Sequence, residues 1–383
     1  MKSLYYFLIG FLVFSSMQNS IIVSSQSLKS SILYVGGSGE GNFSSIMEAV
    51  DTAIDGDIIL VYPGIYYENL ILDVSVSLLS IAGMAESVVD ANMSSLPLQV
   101  FADSCRIEGF TFQNGGDLGY EYSASVSLRC DNCTFSNNTV SMKNVDQIHA
   151  DSAIEILGNN SEISYCHLLE NDENPLIQRG VYINQYSSNC LIQHNYIEGF
   201  ASAVYAYYFT NEIVIENNHI DSCNNGILAQ GSKSKIVQNT IRNCSSAISL
   251  FAPNSYVALN DIVCKDYEYN SGIFVYTSAK NSVIEQNRIK GNNNYSIHLV
   301  DPHNCIVRSN DILQGNIFVF KYLNTLWKKY QISGNYYAEE NLNHFGWQIL
   351  PGNLQIIAYF EASWDILWYA FDKNPASNPM FPT

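Results

Sequence analysis

The stretch Asn195-Tyr196-Ile197 returns along the chain, each time as an Asn, one variable residue and an isoleucine. The copies begin at Asn195, Asn218, Asn239, Asn260, Asn287 and Asn310, at steps of 23, 21, 21, 27 and 23 residues. A repeat of about 20 to 30 residues is typical of a solenoid. A unit this short cannot bury its own apolar face, so neighbouring units must stack.

A second phrase follows each copy by about half a period and consists of a small residue and then apolar residues at alternate positions. It reads Gly180-Val181-Tyr182-Ile183, Ala203-Val204-Tyr205-Ala206, Gly226-Ile227-Leu228-Ala229, Ala247-Ile248-Ser249-Leu250 and Gly272-Ile273-Phe274-Val275. Alternation with a period of two predicts a β-strand. The two phrases together predict an all-β fold, a single-stranded right-handed parallel β-helix.

The composition limits the partners of the chain. Its 383 residues include 26 Tyr and 18 Phe, which favour strands, and its formal net charge is −18. This charge argues against a nucleic acid partner, because phosphate backbones attract basic surfaces. It argues equally against anionic lipid surfaces and against unassisted binding of polyuronates.

Both ends of the chain differ from the repeats. Lys2, the apolar run 4–14 and the small residues 23–25 are typical of a signal peptide. We therefore assign residues 1–25 to a signal peptide, 26–320 to the β-helix and 321–383 to a C-terminal cap of the same domain. The cap contains all four tryptophans, which are Trp327, Trp347, Trp364 and Trp368. We expect a secreted or cell-surface protein, with a periplasmic-type compartment as an alternative and no transmembrane helix in the mature chain.

The first coil has its own pattern. A short amphipathic helix with Ile46, Val50 and Ala53 on one face precedes a strand over 58–61 and a Pro63-Gly64 turn. We expect this helix to cap the open end of the solenoid.

The run 46–69 resembles the entry coil of pectin-lyase-like β-helix proteins. With the N-x-I phrase, it resembles more narrowly the NosD-type and archaeal surface-protein branch. The resemblance implies a fold but no single activity, since lyases, hydrolases, epimerases and non-enzymatic binders share it.

The repeated asparagines are expected to form a structural ladder. One inward Asn per coil would place amides about 4.8 Å apart, where they can bond to each other and to turn backbone. A polar ligand channel is the alternative.

Cys223 and Cys244 occupy equivalent positions in adjacent coils and are expected to form a reduced apolar stack, with a disulfide as the alternative. Cys130 and Cys133 resemble half a zinc site, but no second pair matches, so no metal or other cofactor is assigned.

The outward positions of the strand phrase carry many aromatic residues. A sheet face with this many aromatics exceeds what a monomer normally exposes. Flat rings beside amides suit the apolar faces and hydroxyl edges of sugars. The alternatives are cover by loops or by a partner chain, or stabilisation through cross-coil stacking. The predicted carbohydrate-binding residues are Tyr182, Tyr205, Tyr207, Phe251, Phe274, Tyr276 and His298.

Catalytic signals are sparse. Asp301-Pro302-His303 resembles the Asp-Pro-His of alginate C5-epimerases, which makes Asp301 and His303 secondary catalytic candidates. Copper handling of the NosD type favours clustered Cys, Met and His, whereas the seven histidines are scattered. We therefore expect a non-catalytic protein that binds a polysaccharide or another envelope component. The alternatives are a polysaccharide-modifying enzyme (C5-epimerase, lyase or hydrolase) and a copper-maturation accessory protein. The oligomeric state stays open.

Overall fold

The structure is a computed structural model that describes residues 30–115, 123–142, 150–170, 178–265, 271–322, 329–338, 343–344, 347–357, 363–373 and 376. The predicted signal peptide and the side chains of the four tryptophans lie outside this description.

Helix α1 spans Ile46–Thr52. The first strands are β1 (Ile32–Val35), β2 (Ile58–Val61), β3 (Gly64–Tyr66), β4 (Leu70–Leu72), β5 (Ser77–Ser80), β6 (Ser87–Asp90), β7 (Leu98–Val100), β8 (Arg106–Glu108), β9 (Thr111–Gln113), β10 (Ser123–Leu128), β11 (Thr134–Ser136) and β12 (Thr139–Ser141). The next are β13 (Ala150–Ile156), β14 (Glu162–Ser164), β15 (His167–Leu169), β16 (Arg179–Ile183), β17 (Leu191–Gln193), β18 (Tyr196–Glu198), β19 (Ser202–Ala206), β20 (Val214–Glu216), β21 (His219–Asp221), β22 (Asn225–Ala229), β23 (Lys235–Val237) and β24 (Thr240–Cys244). The last are β25 (Ser246–Leu250), β26 (Tyr256–Ala258), β27 (Asp261–Cys264), β28 (Ser271–Val275), β29 (Val283–Glu285), β30 (Arg288–Val300), β31 (Ile306–Arg308), β32 (Asp311–Tyr322), β33 (Gln331–Ser333), β34 (Tyr336–Tyr337), β35 (Asn343–His344), β36 (Trp347–Ile357) and β37 (Ser363–Lys373).

Strands one coil apart pair in parallel, and they build three stacks along the solenoid. The first stack contains β4, β7, β10, β13, β16, β19, β22, β25 and β28, and continues through β30 and β32 to β36. The second begins β1, β2, β5, β8, β11 and reaches β33, and the third begins β3, β6, β9, β12 and reaches β34. The long strands β30 and β32 take part in two stacks. The predicted all-β parallel β-helix is confirmed.

The core is one continuous column inside the coils. The isoleucine of every Asn phrase is at most 1% exposed and pairs in register with the next, as Ile220 does with Ile241. Each such side chain contributes about 1.5 to 3 kcal/mol when fully buried. Because each isoleucine packs against a neighbouring coil, this stabilisation exists only in the stacked solenoid.

The residue just before each ladder Asn has a left-handed backbone conformation. The φ values are +54° at His194, +56° at Asn217, +57° at Gln238, +58° at Leu259, +57° at Gln286 and +55° at Ser309. This conformation costs about 1 to 2 kcal/mol for a residue with a Cβ atom. The conformational cost of this turn must be offset in every coil, and the asparagine that follows the turn supplies hydrogen bonds that help to offset it.

The six predicted ladder asparagines form one buried hydrogen-bonded column. Asn239 is typical, because its Nδ2 donates to Asn260 Oδ1 at 3.0 Å and to the Ile215 carbonyl at 2.9 Å. Its own Oδ1 accepts from both the backbone N–H and the Nδ2 of Asn218, each at 3.0 Å. Asn335 extends the column, since its Oδ1 accepts from Asn310 Nδ2 at 2.9 Å. The coil geometry thus continues beyond residue 320, where the sequence analysis places the start of the cap.

The cysteines follow two patterns. Cys223 and Cys244 are free thiols and both are buried. Cys130 and Cys133 form a disulfide, which their spacing did not lead us to predict.

Helix α1 packs its buried Ile46, Ala49 and Val50 on the core. The Ser45 side chain accepts from the Glu48 N–H at 3.1 Å as the N-cap. The Glu68 carboxylate accepts from the backbone N–H groups of Ile46 and Met47, each at 2.9 Å. A carboxylate at this end of a helix also complements the helix dipole.

Candidate functional site

The outward positions of the first stack form the predicted aromatic column. The register pairs Tyr182, Tyr205, Leu228, Ser249, Phe274, His298 and Phe318 in sequence, one residue per coil. Tyr207, Phe251 and Tyr276 lie two residues beyond this column in their own coils. We call the outward side of these coils the aromatic face.

The rings gather in two clusters on this face. Tyr182, Tyr205 and Tyr207 form a tyrosine cluster with ring centroids 5.6 to 6.0 Å apart. Leu228, Gln230 and Ser249 follow it along the face. The second cluster combines Phe251, Phe274, Tyr276 and His298 with Tyr295 and Phe318. The face is therefore two aromatic patches with a less aromatic strip between them.

The clustered rings bury much of one another. Tyr182 is 6% exposed and Phe318 8%, whereas Tyr276 is 38% exposed. Burial raises the pKa of both Tyr182 and Tyr205 to about 12, so their hydroxyls remain hydrogen-bond donors at neutral pH. The Tyr205 hydroxyl donates to Gln230 Oε1 at 2.9 Å. Burial lowers the pKa of His298 to about 4, so this ring is neutral at pH 7. Cross-coil stacking accounts for part of the aromatic content.

A more exposed aromatic pair lies beside the tyrosine cluster, and the sequence analysis missed it. Tyr186 is 70% exposed and Phe209 is 69% exposed, and their rings stack with centroids 5.7 Å apart at 14°. Tyr208, 47% exposed, contacts Tyr207 at 5.2 Å and continues the surface. We call Tyr186 and Phe209 the turn pair. Their separation of 23 residues equals that of Tyr182 and Tyr205, and this spacing could have revealed them.

A charged group occupies the coils before the tyrosine cluster. Glu155 pairs in register with Tyr182, is 4% exposed and accepts from Asn184 Nδ2 at 3.0 Å. Burial raises the pKa of Glu155, while the Asn184 bond and the nearby Arg129 and Arg179 oppose that rise. These residues lie in the irregular coils, where the repeat did not define a column.

The secondary catalytic candidates lie elsewhere. Asp301 is 1% exposed, and its Oδ1 is 3.7 Å from Nζ of Lys321, whose side chain is also 1% exposed. Lys321 Nζ also donates to the Pro302 carbonyl at 3.2 Å. His303 is partly exposed, and its carbonyl accepts from the Asn281 N–H. Asp301 is thus part of a buried ion pair, out of reach of a surface-bound sugar.

Within the described residues, no group of three or more His, Cys, Asp or Glu side chains could hold a metal ion. The same residues contain no helix that is long and apolar enough to cross a bilayer.

Comparison with known proteins identifies the family. Residues 93–241 and 152–312 match the family described as the right-handed β-helix region, which together is more than half of the chain. The chain belongs to this family. The predicted pectin-lyase-like right-handed β-helix is therefore confirmed, and the narrower NosD-type assignment stays a prediction.

Individual relatives are distant. A cell surface glycoprotein of Methanothermus fervidus is 35% identical over 100 residues, which is 26% of this chain and 16% of that protein. A mannuronic acid-specific polysaccharide family 6 lyase from human gut microbiota superposes with a TM-score of 0.52 at 11% identity, covering 82% of this chain and 88% of the lyase. The Dettilon tailspike protein gives 0.55 at 13% identity, covering 86% and 74%. At these identities the two structures are similar in fold alone.

Proposed function

We propose that this β-helix protein is exported to the cell surface or the extracellular space and binds a glycan or another envelope component through its aromatic face, without catalysis. The observation that carries the proposal is the turn pair, whose stacked rings are about 70% exposed beside the tyrosine cluster. Contiguous exposed apolar patches often mark the binding site of a ligand or a partner.

The chemistry of the surrounding residues suits a sugar. Aromatic rings pack against the apolar faces of sugar rings, and amide or hydroxyl groups bond their hydroxyls. Tyr205 and Gln230 provide such polar atoms next to the rings. The cell-surface relative from Methanothermus fervidus supports a surface location.

The non-catalytic part of the proposal rests on the side chains of the face. Glycoside hydrolysis normally requires two carboxyl groups that flank the scissile bond. The carboxyl group that continues the column beside Tyr182 is Glu155, which is 4% exposed and is held by a hydrogen bond from Asn184. The catalytic candidate Asp301 is enclosed with Lys321, which leaves no reason to place a reaction there.

A polysaccharide array tests this proposal when it is scored for both retention and new unsaturated or epimerised sugar. We expect retention without turnover, weakened roughly tenfold by Tyr186→Ala or Phe209→Ala, the effect of a loss of about 1.4 kcal/mol. Tyr165→Ala is the matched control. Tyr165 is also an exposed turn tyrosine with positive φ, and it stacks on His194 at 4.9 Å, but it follows a strand of the second stack.

Two results would contradict the proposal. Turnover of any retained polysaccharide would establish an enzyme, and its loss in Glu155→Gln would locate the reaction beside the tyrosine cluster. The second result would be that Tyr186→Ala and Phe209→Ala retain the polysaccharide as strongly as Tyr165→Ala. It would show that the aromatic face is not the binding surface.

A further inference from the structure

We propose that Asn92 carries an N-linked glycan, which is transferred from a lipid-linked oligosaccharide when the chain is exported. The residue begins the triplet Asn92-Met93-Ser94, which has the Asn-x-Ser/Thr pattern of an N-glycosylation acceptor. This inference rests on the export that the proposed function includes. It does not depend on recognition of a glycan by the aromatic face.

The acceptor pattern alone does not select a site, because the chain contains seven copies of it. They begin at Asn42, Asn92, Asn132, Asn137, Asn159, Asn243 and Asn294. A transferase must reach both the Asn amide and the hydroxyl two residues later, so an acceptor triplet belongs in a surface loop. The exposure of the whole triplet therefore decides between the copies, and it is described for all of them except the one at Asn294.

The triplet at Asn92 is fully exposed, and of the six copies with described exposure it is the only one in which all three residues are. It forms the loop between β6 and β7, with a left-handed backbone at Asn92 (φ +49°) and Met93 (φ +59°). The Met93 N–H donates to the Asn114 carbonyl at 2.9 Å, and the Ser94 N–H donates to the Ala91 carbonyl at 3.0 Å. The loop backbone is thus held in place while its side chains remain in solvent.

The reacting groups of this triplet are available. Asn92 donates its backbone N–H to Asp90 Oδ1 at 2.8 Å, but its side-chain amide has no hydrogen-bond partner in the part of the chain that the structure describes. The Ser94 hydroxyl lies 2.8 Å from Asn69 Oδ1 and 2.6 Å from the Ala91 carbonyl oxygen. Both neighbours are acceptors, so the lone pairs of this hydroxyl stay open to a donor from a transferase.

The other five copies with described exposure are each restricted. A buried middle residue restricts three of them, which begin at Asn132, Asn137 and Asn243. In the copy at Asn159 the hydroxyl residue Ser161 is 1% exposed, so its side chain is out of reach. In the copy at Asn42 the side-chain amide is only partly exposed and donates to the Gly36 carbonyl at 2.5 Å.

The surroundings of Asn92 favour a hydrophilic cover. Met93 is 44% exposed, Tyr67 70% and Ile71 42%. Asn69 lies between Tyr67 and Ile71 in the chain and is hydrogen-bonded to the loop that contains Asn92, so these apolar side chains are near the proposed attachment point. Contiguous exposed apolar surface promotes association, and a bulky glycan at this place would solubilise it.

The attachment point is distant from the aromatic face. Strand β7 follows the loop of Asn92, and the tyrosine cluster begins in β16, three pairings further along the first stack. At about 4.8 Å per coil, the separation along the solenoid is about 14 Å. A glycan on Asn92 is therefore attached away from the tyrosine cluster.

The proposed transfer is a substitution at the first sugar of the donor. A bond forms between Asn92 Nδ2 and the anomeric carbon of that sugar. The bond from this carbon to the phosphate oxygen of the lipid carrier breaks, and the lipid phosphate leaves with the bonding electrons. A base of the transferase takes one proton from Nδ2, so the step balances without an oxidant or a reductant.

Mass spectrometry of the full chain tests this inference, after export by cells that also modify a co-expressed reporter glycoprotein. We expect a glycan on the peptide that contains Asn92. Asn92→Gln and Ser94→Ala should each lose this glycan from the intact mass, whereas Ser94→Thr keeps the acceptor pattern and should retain it. Asn159→Gln is the matched control, because it removes a copy of the pattern whose hydroxyl is buried, and it should lose no glycan.

Four outcomes would overturn the inference. The first is an unmodified Asn92 in exported protein beside a modified reporter. The second is a modification that persists in Ser94→Ala, which would show chemistry that does not read the acceptor pattern. The third is equal glycan occupancy at Asn92 and Asn159, which would show that exposure in the fold does not select the site. The fourth is a chain that stays in the cytosol, which would remove this inference together with the proposed export.

The same variants separate this inference from the proposed binding function. Asn92→Gln should bind the polysaccharide array as the wild type does, since the glycan is attached away from the tyrosine cluster. A glycosylated protein that retains no polysaccharide would therefore contradict the proposed binding and leave the modification established. If Asn92→Gln fails to fold, Ser94→Ala gives the same comparison.

Discussion

Replacing one rung of the asparagine ladder tests how the coils are held. Asn239→Leu keeps the branched side-chain shape, with two methyl groups in place of the amide oxygen and nitrogen, at a position that is 1% exposed. The backbone N–H and the Nδ2 of Asn218 then lose the oxygen they share at 3.0 Å. Each buried donor left unpaired costs about 1 to 3 kcal/mol. The variant should therefore lose about 2 to 6 kcal/mol, a large fraction of the stability of a typical protein.

Urea unfolding, followed by circular dichroism, measures this loss as a lower midpoint at unchanged slope. Thr240→Ala is the matched control, because Thr240 is the next residue, is partly exposed and pairs outward with His219. It should change the unfolding free energy by at most about 1 kcal/mol. If Asn239→Leu lies within that range as well, the amides do not provide the hydrogen bonds that the buried turn requires, and our account of the ladder is refuted.

Two further perturbations address packing and pH. In Gly226→Ala the new Cβ would lie 2.5 Å from the Ala247 carbonyl oxygen, so the coils must separate locally, at a cost of about 1 to 3 kcal/mol. Ala247→Gly, the control at the paired small position, should cost about 1 kcal/mol or less, and a Gly226→Ala protein as stable as the wild type would contradict the close approach. The pKa of His298 is about 4 in the fold against about 6.5 when unfolded, so stability is complete above pH 6.5 and falls by about 3 kcal/mol as the pH drops through 4. His298→Phe should flatten the thermal melting profile between pH 7 and pH 4, and an unchanged slope would count against this burial.

The regular part of the fold could be predicted because each coil repeats the same physical requirement. The turn before each ladder position needs a residue with a left-handed backbone, and the ladder position itself needs a side chain that both donates and accepts hydrogen bonds. Asn meets the second condition, which is why it recurs from Asn195 to Asn310. The small residue of the strand phrase has a similar cause. A Cβ at Gly180 would lie 2.5 Å from the Ala203 carbonyl oxygen, in the same arrangement as Gly226 and Ala247.

The candidate site was predicted less completely. Sequence periodicity identifies which residues share a column, but it does not show how exposed each side chain of that column is. Tyr182 belongs to the predicted column and is 6% exposed, since Arg179, Tyr205 and Tyr207 cover it. Tyr186 is in a turn outside the strand phrase and is 70% exposed. The charged residues were missed for another reason, because Glu155 and Arg129 lie in the irregular coils that precede the regular run of the Asn phrase, which begins at Asn195. Only the three-dimensional register places Glu155 beside Tyr182 and Ser127, two residues before Arg129, beside Glu155.

The ladder and the aromatic face are coupled through the coil itself. The outward position of the first stack follows the ladder Asn by 10 positions in the coil of Asn195 and Tyr205, and by 14 positions in the coil of Asn260 and Phe274. The ladder and the outward column nevertheless both stay in register from coil to coil. The difference in length therefore falls in the segment that joins the ladder Asn to the first-stack strand. In a solenoid each coil contacts mainly its neighbours, so a ladder that fixes coil spacing at about 4.8 Å also fixes the distance between successive outward rings. A face built on such a frame is organised before any ligand arrives, which lowers the entropic cost of binding. The buried amides lie in the turns between the second and third stacks, so they contribute to recognition on the first stack only through the coil spacing that they fix.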